Sequence, residues 1–389
     1  MRSEPNYNTI PVGQLGIIAL PGCEELANKI DNYLIRWRFQ RNSEHKDTLA
    51  FAGYEKSTYL INMDFPRFGT GEGKAALNQT VRGYDIYILC DVFNYGVTYK
   101  MYGMTVPMSP DEHFANLKRA ISAIEGKAKR VSVIMPMLYE GRQHKRSSRE
   151  SLDCAMMLQE LNAMGVENFI TFDAHDPRVM NAIPLCGFES ISPAYQMIKA
   201  AVNNVDNLKI NKDNIMIISP DEGGMSRCIY YSTVLGVELG MFYKRRDFSR
   251  IVDGRNPIIA HEFLGDNVEG KDVIIVDDMI SSGESMIEVA TKLKELKAAR
   301  IYIFSAFGLF CNGFDAFDKA FQEGIIDRVF TTNLIYGTPE LLSKDWYVRV
   351  DMSKYLSYII DTLNHDTSIS DLLDPAEKIN ALLEKKGLK

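Results

Sequence analysis

The sequence lacks several things that would settle its class quickly. Its six cysteines, Cys23, Cys90, Cys154, Cys186, Cys228 and Cys311, show no CxxC pair and no metal-ligand spacing, which removes a zinc ribbon or a redox dithiol and leaves buried reduced thiols as the expectation. Long apolar runs are absent too. Leu15 to Leu20 is of strand length, too short for a signal-peptide core or a membrane span, so a cytoplasmic protein with no membrane partner is expected. Positive charge is not in excess: 44 Lys and Arg stand against 51 Asp and Glu, a net charge of −7, which argues against nucleic acid as the main partner. No low-complexity linker divides the chain, and no internal repeat is evident.

What remains is an ordinary globular composition, 46% hydrophobic and 24% charged over 389 residues, enough for two α/β domains with full cores. Apolar strand runs alternate with amphipathic helices, the pattern of mainly parallel sheets covered by helices. Strands are expected at Leu15–Leu20, Asp85–Leu89, Val131–Met135, Phe169–Phe172, Ile215–Ile218, Val273–Val276 and Ile301–Phe304. Helices are expected at Glu24–Leu34, Asp111–Glu125, Ser151–Met164, Pro193–Val202, Gly224–Leu235 and Ser285–Leu296. Pro184, Gly187, Ser190, Ser192 and Pro193 cluster where one domain would pass to the next. The division expected is 1–187, 188–340, and a helical tail over 341–389 with helices at Ser353–Leu363 and after Pro375.

The most informative segment is Val273-Ile-Ile-Val-Asp-Asp-Met-Ile-Ser-Ser-Gly-Glu-Ser-Met286. A β-branched run reads as a buried strand ending in Asp277 and Asp278. Then come a small, hydroxyl-rich loop and a helix with apolar residues at Met286, Val289, Ala290, Leu293 and Leu296. A loop opening a helix at the carboxyl end of a strand is an anion site. Free N–H groups and the helix dipole attract a phosphate, Ser281, Ser282 and Ser285 add hydroxyl donors, and Gly283 permits close approach. Two carboxylates would repel that phosphate unless they meet hydroxyls or a bridging Mg²⁺, so a sugar phosphate satisfies the whole segment. A second loop of the same kind, Ser219-Pro-Asp-Glu-Gly-Gly-Met-Ser-Arg227, follows the strand at Ile215–Ile218. Its Gly223 and Gly224 expose backbone N–H groups, and Arg227 lies one turn into the helix.

The segment at 273–286 resembles the phosphoribosyl-diphosphate motif of type I phosphoribosyltransferases and of ribose-phosphate diphosphokinases, and further landmarks resemble the diphosphokinases in order from about Leu15 to Thr338. The resemblance implies two phosphoribosyltransferase-like α/β domains, the first for ATP and the second for ribose 5-phosphate. It implies transfer of the diphosphate of MgATP to the anomeric hydroxyl of ribose 5-phosphate, for nucleotide biosynthesis. Asp277, Asp278, Ser281, Ser282, Gly283 and Ser285 would hold the sugar phosphate, and Asp221, Gly223 and Gly224 the diphosphate. Lys244 and Arg246, in the run Tyr243-Lys-Arg-Arg-Asp247, would be the catalytic cations opening a mobile loop. His175, in Asp173-Ala-His175, and Asp221 would be Mg²⁺ ligands, with His175 alternatively on the ATP phosphates and Asp173 orienting its ring. Arg142 and Gln143 resemble the family's Arg-Gln pair along the nucleotide. Arg67-Phe-Gly-Thr-Gly-Glu72 resembles its adenine hairpin, with Phe68 stacking and Glu72 accepting from the amino group of an ATP held by a neighbouring subunit; a homo-oligomer, at least a dimer, is implied.

The chain departs from that pattern at Thr70, His144, Ser281 and Glu284, in Asp247 to Arg250, and in apparent insertions at Leu34–Asp64 and Asn94–Asp111. A nucleobase phosphoribosyltransferase and a non-catalytic regulatory homologue are therefore the alternatives.

Overall fold

The computed structural model describes residues 9–42, 51, 53–246 and 258–388. The chain divides into two compact units, one of Met1–Ser192, Asn333–Tyr336 and Asp351–Leu373, the other of Pro193–Thr332, Gly337–Val350 and Asp374–Lys389. The segment read as a tail is thus shared out between the units.

In the first unit the elements run β1 (Gln14–Ala19), α1 (Glu24–Asn42), a short ribbon of β2 (Met63–Asp64) with β3 (Ala76–Leu77), β4 (Tyr84–Leu89), a hairpin of β5 (Thr98–Met101) and β6 (Met104–Pro107), α2 (Pro110–Ile124), β7 (Arg130–Ile134), α3 (Asp153–Ala163), β8 (Asn168–Phe172) and β9 (Gly187–Ile191). β1, β4, β7, β8 and β9 form a five-stranded sheet in that order, parallel at every pair. The strands are apolar on both faces because helices cover both, so Ile17, Ile18, Ile86, Ile88, Val133 and Ile170 are all fully buried. Local signals agree with this: Ser109 and Glu112 close a capping box at the start of α2, with Pro110 in the first turn. α1 runs to Asn42, well past the expected end at Leu34, because Trp37 and Arg38 continue a buried face.

The second unit follows with α4 (Ala194–Asn204), β10 (Ile215–Ser219), α5 (Met225–Leu235), β11 (Glu238–Arg246), β12 (Ile258–Leu264), β13 (Asp272–Ile280), α6 (Glu284–Glu295), β14 (Ile301–Gly308), α7 (Asp315–Gln322), β15 (Arg328–Thr332), α8 (Pro339–Leu342) and β16 (Tyr347–Val350). Its seven-stranded sheet has the order β12-β11-β10-β13-β14-β15-β16; β11 and β12 pair antiparallel, the other pairs parallel. Met286, Val289, Ala290 and Leu293 make the buried stripe of α6 as the spacing requires, whereas Leu296 caps the helix and is exposed. Of the cysteines, four are buried, but Cys186 is only partly so and Cys311 is exposed.

After β16, α9 (Ser353–Asn364) and α10 (Ser370–Leu373) belong to the first unit and α11 (Ala376–Lys385), capped by Pro375, to the second. α9 packs on α1: Trp37 stacks on Tyr358 with ring centroids 4.3 Å apart, and the buried Arg38 donates from Nε (3.0 Å) and Nη2 (2.9 Å) to Asp361. Among the described residues no helix is long and apolar enough to cross a membrane.

Candidate active site

The sugar-phosphate candidates sit at the carboxyl end of the central strand of the second unit. Contrary to the sequence reading, β13 does not end at Val276. It pairs with β14 onward through Asp277 with Ser305 and Ile280 with Gly308, so both acids lie within the strand. Asp278 is buried, while Asp277 keeps part of its surface. Asp278 donates its N–H to Asp277 Oδ1 at 2.9 Å. Burial, and next the adjacent Asp278 charge, push the Asp277 carboxyl well above the usual range, opposed by Arg227. Arg227 Nη1 lies 3.8 Å from Asp277 Oδ1, so the helix behind the second anion loop reaches the acidic pair.

Ser281 and Ser282 follow, and Gly283 caps α6 with φ 87°. The Ser281 carbonyl accepts from Cys311 N–H at 2.8 Å, fixing the loop from behind. Ser285, one residue into the helix, is exposed, as is Glu284, which accepts from Asn312 Nδ2 at 3.1 Å. Gly283 is required twice over. Its φ is one that side chains resist, and a Cβ there would stand 2.2 Å from Cε2 of Phe317, which is fully buried. Gly283→Ala should lower stability by about 2 kcal/mol or more; an unchanged midpoint in thermal unfolding would show that the loop is looser than this packing implies.

In the second loop, Gly223 (2.9 Å) and Gly224 (3.3 Å) both donate their N–H groups to Asp221 Oδ1. The amides expected to face a diphosphate are therefore held by the loop's own carboxylate. Lys244 and Arg246 lie near the end of β11, opposite His261 and Ile258 of β12. Their side chains, and residues 247–257, lie outside the described residues.

In the first unit the candidates also gather after strands. Gln143 Nε2 donates to the Ser151 carbonyl at 2.9 Å, and Arg142 is exposed beside Glu140. His175 is exposed, and its ring centroid is 5.3 Å from that of His144. His144 Nε2 is 3.5 Å from Asp176 Oδ2. Asp176 is held down to about 2, first by its hydrogen bond from Arg178. Nothing in the sequence marks His144 as a neighbour of His175 and Asp176, because it comes from a separate loop. Asp173 has φ 40° and forms the bend after β8. Phe68 is 56% exposed at the base of a turn closed by its N–H to the Glu72 carbonyl at 2.8 Å. Thr70, which stands where the resemblance calls for an acid, donates its hydroxyl to Glu72 Oε2 at 2.8 Å. One residue escaped the sequence reading: Asp91, just beyond β4, is raised to about 7 by burial while accepting N–H groups from Phe93 (3.0 Å) and Tyr336 (2.7 Å).

Three family models match in order: the N-terminal domain of ribose phosphate pyrophosphokinase over residues 15–165, the phosphoribosyl transferase domain over 188–308, and the phosphoribosyl synthetase-associated domain over 250–374. The chain belongs to the ribose-phosphate pyrophosphokinase family. The relative from Vibrio parahaemolyticus named ribose-phosphate pyrophosphokinase is 25% identical over 312 residues, 79% of this chain and 90% of that protein. That from Shewanella oneidensis, of the same name, is 27% identical over 308 residues, 78% and 88% respectively. The crystal structure of phosphoribosylpyrophosphate synthetase from Mycobacterium smegmatis superposes with a TM-score of 0.70 at 18% identity, covering 91% of this chain and 99% of that one. It shares the fold of this chain.

Proposed function

We infer that the chain transfers the diphosphate of MgATP to the anomeric hydroxyl of ribose 5-phosphate, giving 5-phosphoribosyl 1-diphosphate and AMP. The observation that carries this is the pair Asp277 and Asp278 near the end of a strand that leads into a helix-capping loop of small residues, in a chain whose family models cover both halves. The phosphate of the sugar takes the Ser281–Ser285 loop, and its ring hydroxyls take the acids. The anomeric oxygen attacks the β-phosphorus, a P–O bond forms there, and the bond to the α-phosphate oxygen breaks to release AMP.

Asp221 gives the second loop two uses. Rotation of its carboxylate off Gly223 and Gly224 frees both N–H groups for diphosphate oxygens and frees the carboxylate for a cation. Among the described residues no cluster of three His, Cys, Asp or Glu could hold a metal alone. That fits Mg²⁺, which binds through one or two carboxylates with substrate phosphates and water. Asp221 is the better ligand in this reading, since an imidazole suits a hard cation poorly, and His175 with His144 is better placed as a contact for the ATP phosphates. When bound, Mg²⁺ neutralises charge on the phosphate oxygens. Phe68 and Glu72 meet the adenine, in an assembly of at least two copies, and the enzyme works in the cytoplasm.

The test is AMP formation from ATP. It should require both ribose 5-phosphate and Mg²⁺. Pyrophosphate release from phosphoribosyl diphosphate and a nucleobase, with no AMP from ATP, would transfer the chain to the transferases. Silence in both assays would leave the reading without support.

A further inference from the structure

The β5–β6 hairpin turns through two residues, Tyr102 and Gly103, between the paired Met101 and Met104. Both turn residues have positive φ, 47° and 79°. Such a turn favours Asn, Asp or Gly at its first position, and a bulky side chain there costs backbone strain. Tyr102 does not recover that cost by burial, since it is 75% exposed. A strained backbone carrying an exposed aromatic ring calls for a reason outside folding.

Its surroundings supply one. The Tyr102 N–H donates to the Gly69 carbonyl at 2.8 Å, one residue from the exposed Phe68. Arg67 lies over the Tyr99 ring, 4.7 Å from its centroid, and a Cβ at Gly71 would stand 2.8 Å from the Met101 sulfur. Arg67 also donates from Nη1 to the Gly71 carbonyl at 2.9 Å. The β5–β6 hairpin and the Arg67–Glu72 turn are therefore fastened together, and each presents one exposed aromatic ring.

We propose that Tyr102 is a second base-contacting residue for the donor, stacking on the purine of a nucleoside triphosphate alongside Phe68. This rests on the reading of the Phe68 turn as the adenine contact. A flat ring with only two rotatable bonds, on a backbone pinned to the neighbouring turn, loses little freedom when it stacks, and stacking asks only for a π-face.

Tyr102→Asn is the informative variant, because asparagine suits the turn and removes the ring. It should raise the KM for ATP about fivefold or more, the scale of one lost base stack. Turnover at saturating ATP and the KM for ribose 5-phosphate should stay within about twofold, and the thermal midpoint should not fall; Tyr102→Phe should behave as the parent. If Phe68→Ala raises the KM for ATP and Tyr102→Asn does not, the inference fails while the Phe68 reading stands. If neither moves it, the Phe68 reading itself fails and takes the inference with it. A fall in molar mass by light scattering for Tyr102→Asn would make the ring a contact between copies and overturn the proposal.

Discussion

Lys244→Ala should lower turnover by about a hundredfold or more while leaving the KM for ribose 5-phosphate within about twofold. Transfer of a diphosphate asks little covalent chemistry of the protein. The barrier lies in charge that accumulates on the phosphoryl oxygens as one P–O bond forms and another breaks, and a fixed cation acts on that charge most strongly in the transition state. The backbone that carries Lys244 is set by the pairing of β11 with β12, Lys244 opposite His261, so alanine should leave the strand in place. Arg246→Ala should follow the same pattern. Asp278→Ala should do the reverse, weakening ribose 5-phosphate binding and Mg²⁺ dependence before turnover at saturation, because in the function proposed above it meets the sugar in the ground state as well. Rapid-quench measurement of AMP separates the two. A Lys244 variant with unchanged single-turnover rate would remove the run from the chemistry.

The difference between these two classes of residue also marks what the sequence could show. The runs Ile215–Ile218 and Val273–Val276 are buried on both faces, and a strand covered on both sides is apolar along its length, so its sequence is conspicuous. The edge strand β1 carries the same mark, but two other edge strands do not. β9 (Gly-Phe-Glu-Ser-Ile) and β16 (Tyr-Val-Arg-Val) mix polar and apolar residues because one flank meets no further strand, and neither was foreseen. The position of the acidic pair was misread for a related reason: charge was taken as the end of the strand. Hydrogen bonding to β14 continues past Asp277 regardless, since the ladder is made by the backbone and is indifferent to the side chains.

The candidate site was legible where it depends on a local loop and opaque where it depends on a meeting of loops. Gly283 could be named from its place after a strand and before a helix, but not the Phe317 ring that excludes a Cβ there. The Gly223 and Gly224 amides could be named as donors, but not their occupation by Asp221. His144, noted only as a departure from the family, lies next to His175 and Asp176. Contacts between residues far apart in the chain leave no periodicity behind.

One such contact bears on stability. Asp361 on α9 is fully buried and accepts from Arg38 and Arg41 on α1, 323 and 320 residues away, while Arg38 Nη2 also donates to Asn364 at 2.7 Å. Burial alone would push the Asp361 carboxyl up, but Arg38 and then Arg41 outweigh it and hold it below the usual range. His365, 3.7 Å from the same carboxylate, is lowered to about 4 by burial against the pull of Asp361. Both shifts act with one sign. The unfolded chain binds the His365 proton more readily, so that stability is whole above about pH 6.5 and is lost as the pH falls toward 4; that of Asp361 is lost further down, as the pH passes through its lowered folded value. Asp361→Ala removes the one carboxylate and leaves two guanidinium groups buried beside it. The expected cost is about 3–5 kcal/mol, a fall in the thermal midpoint on the order of ten degrees. Replacing the group together, as Arg38→Met, Arg41→Leu and Asp361→Leu, should cost less than Asp361→Ala alone, because desolvation of the charges is then relieved along with their attraction. A triple variant that falls as far as the single one, or a single variant as stable as the parent by calorimetry, would mean that α9 is held to α1 by its apolar contacts, the Trp37–Tyr358 stack among them, and not by these charges.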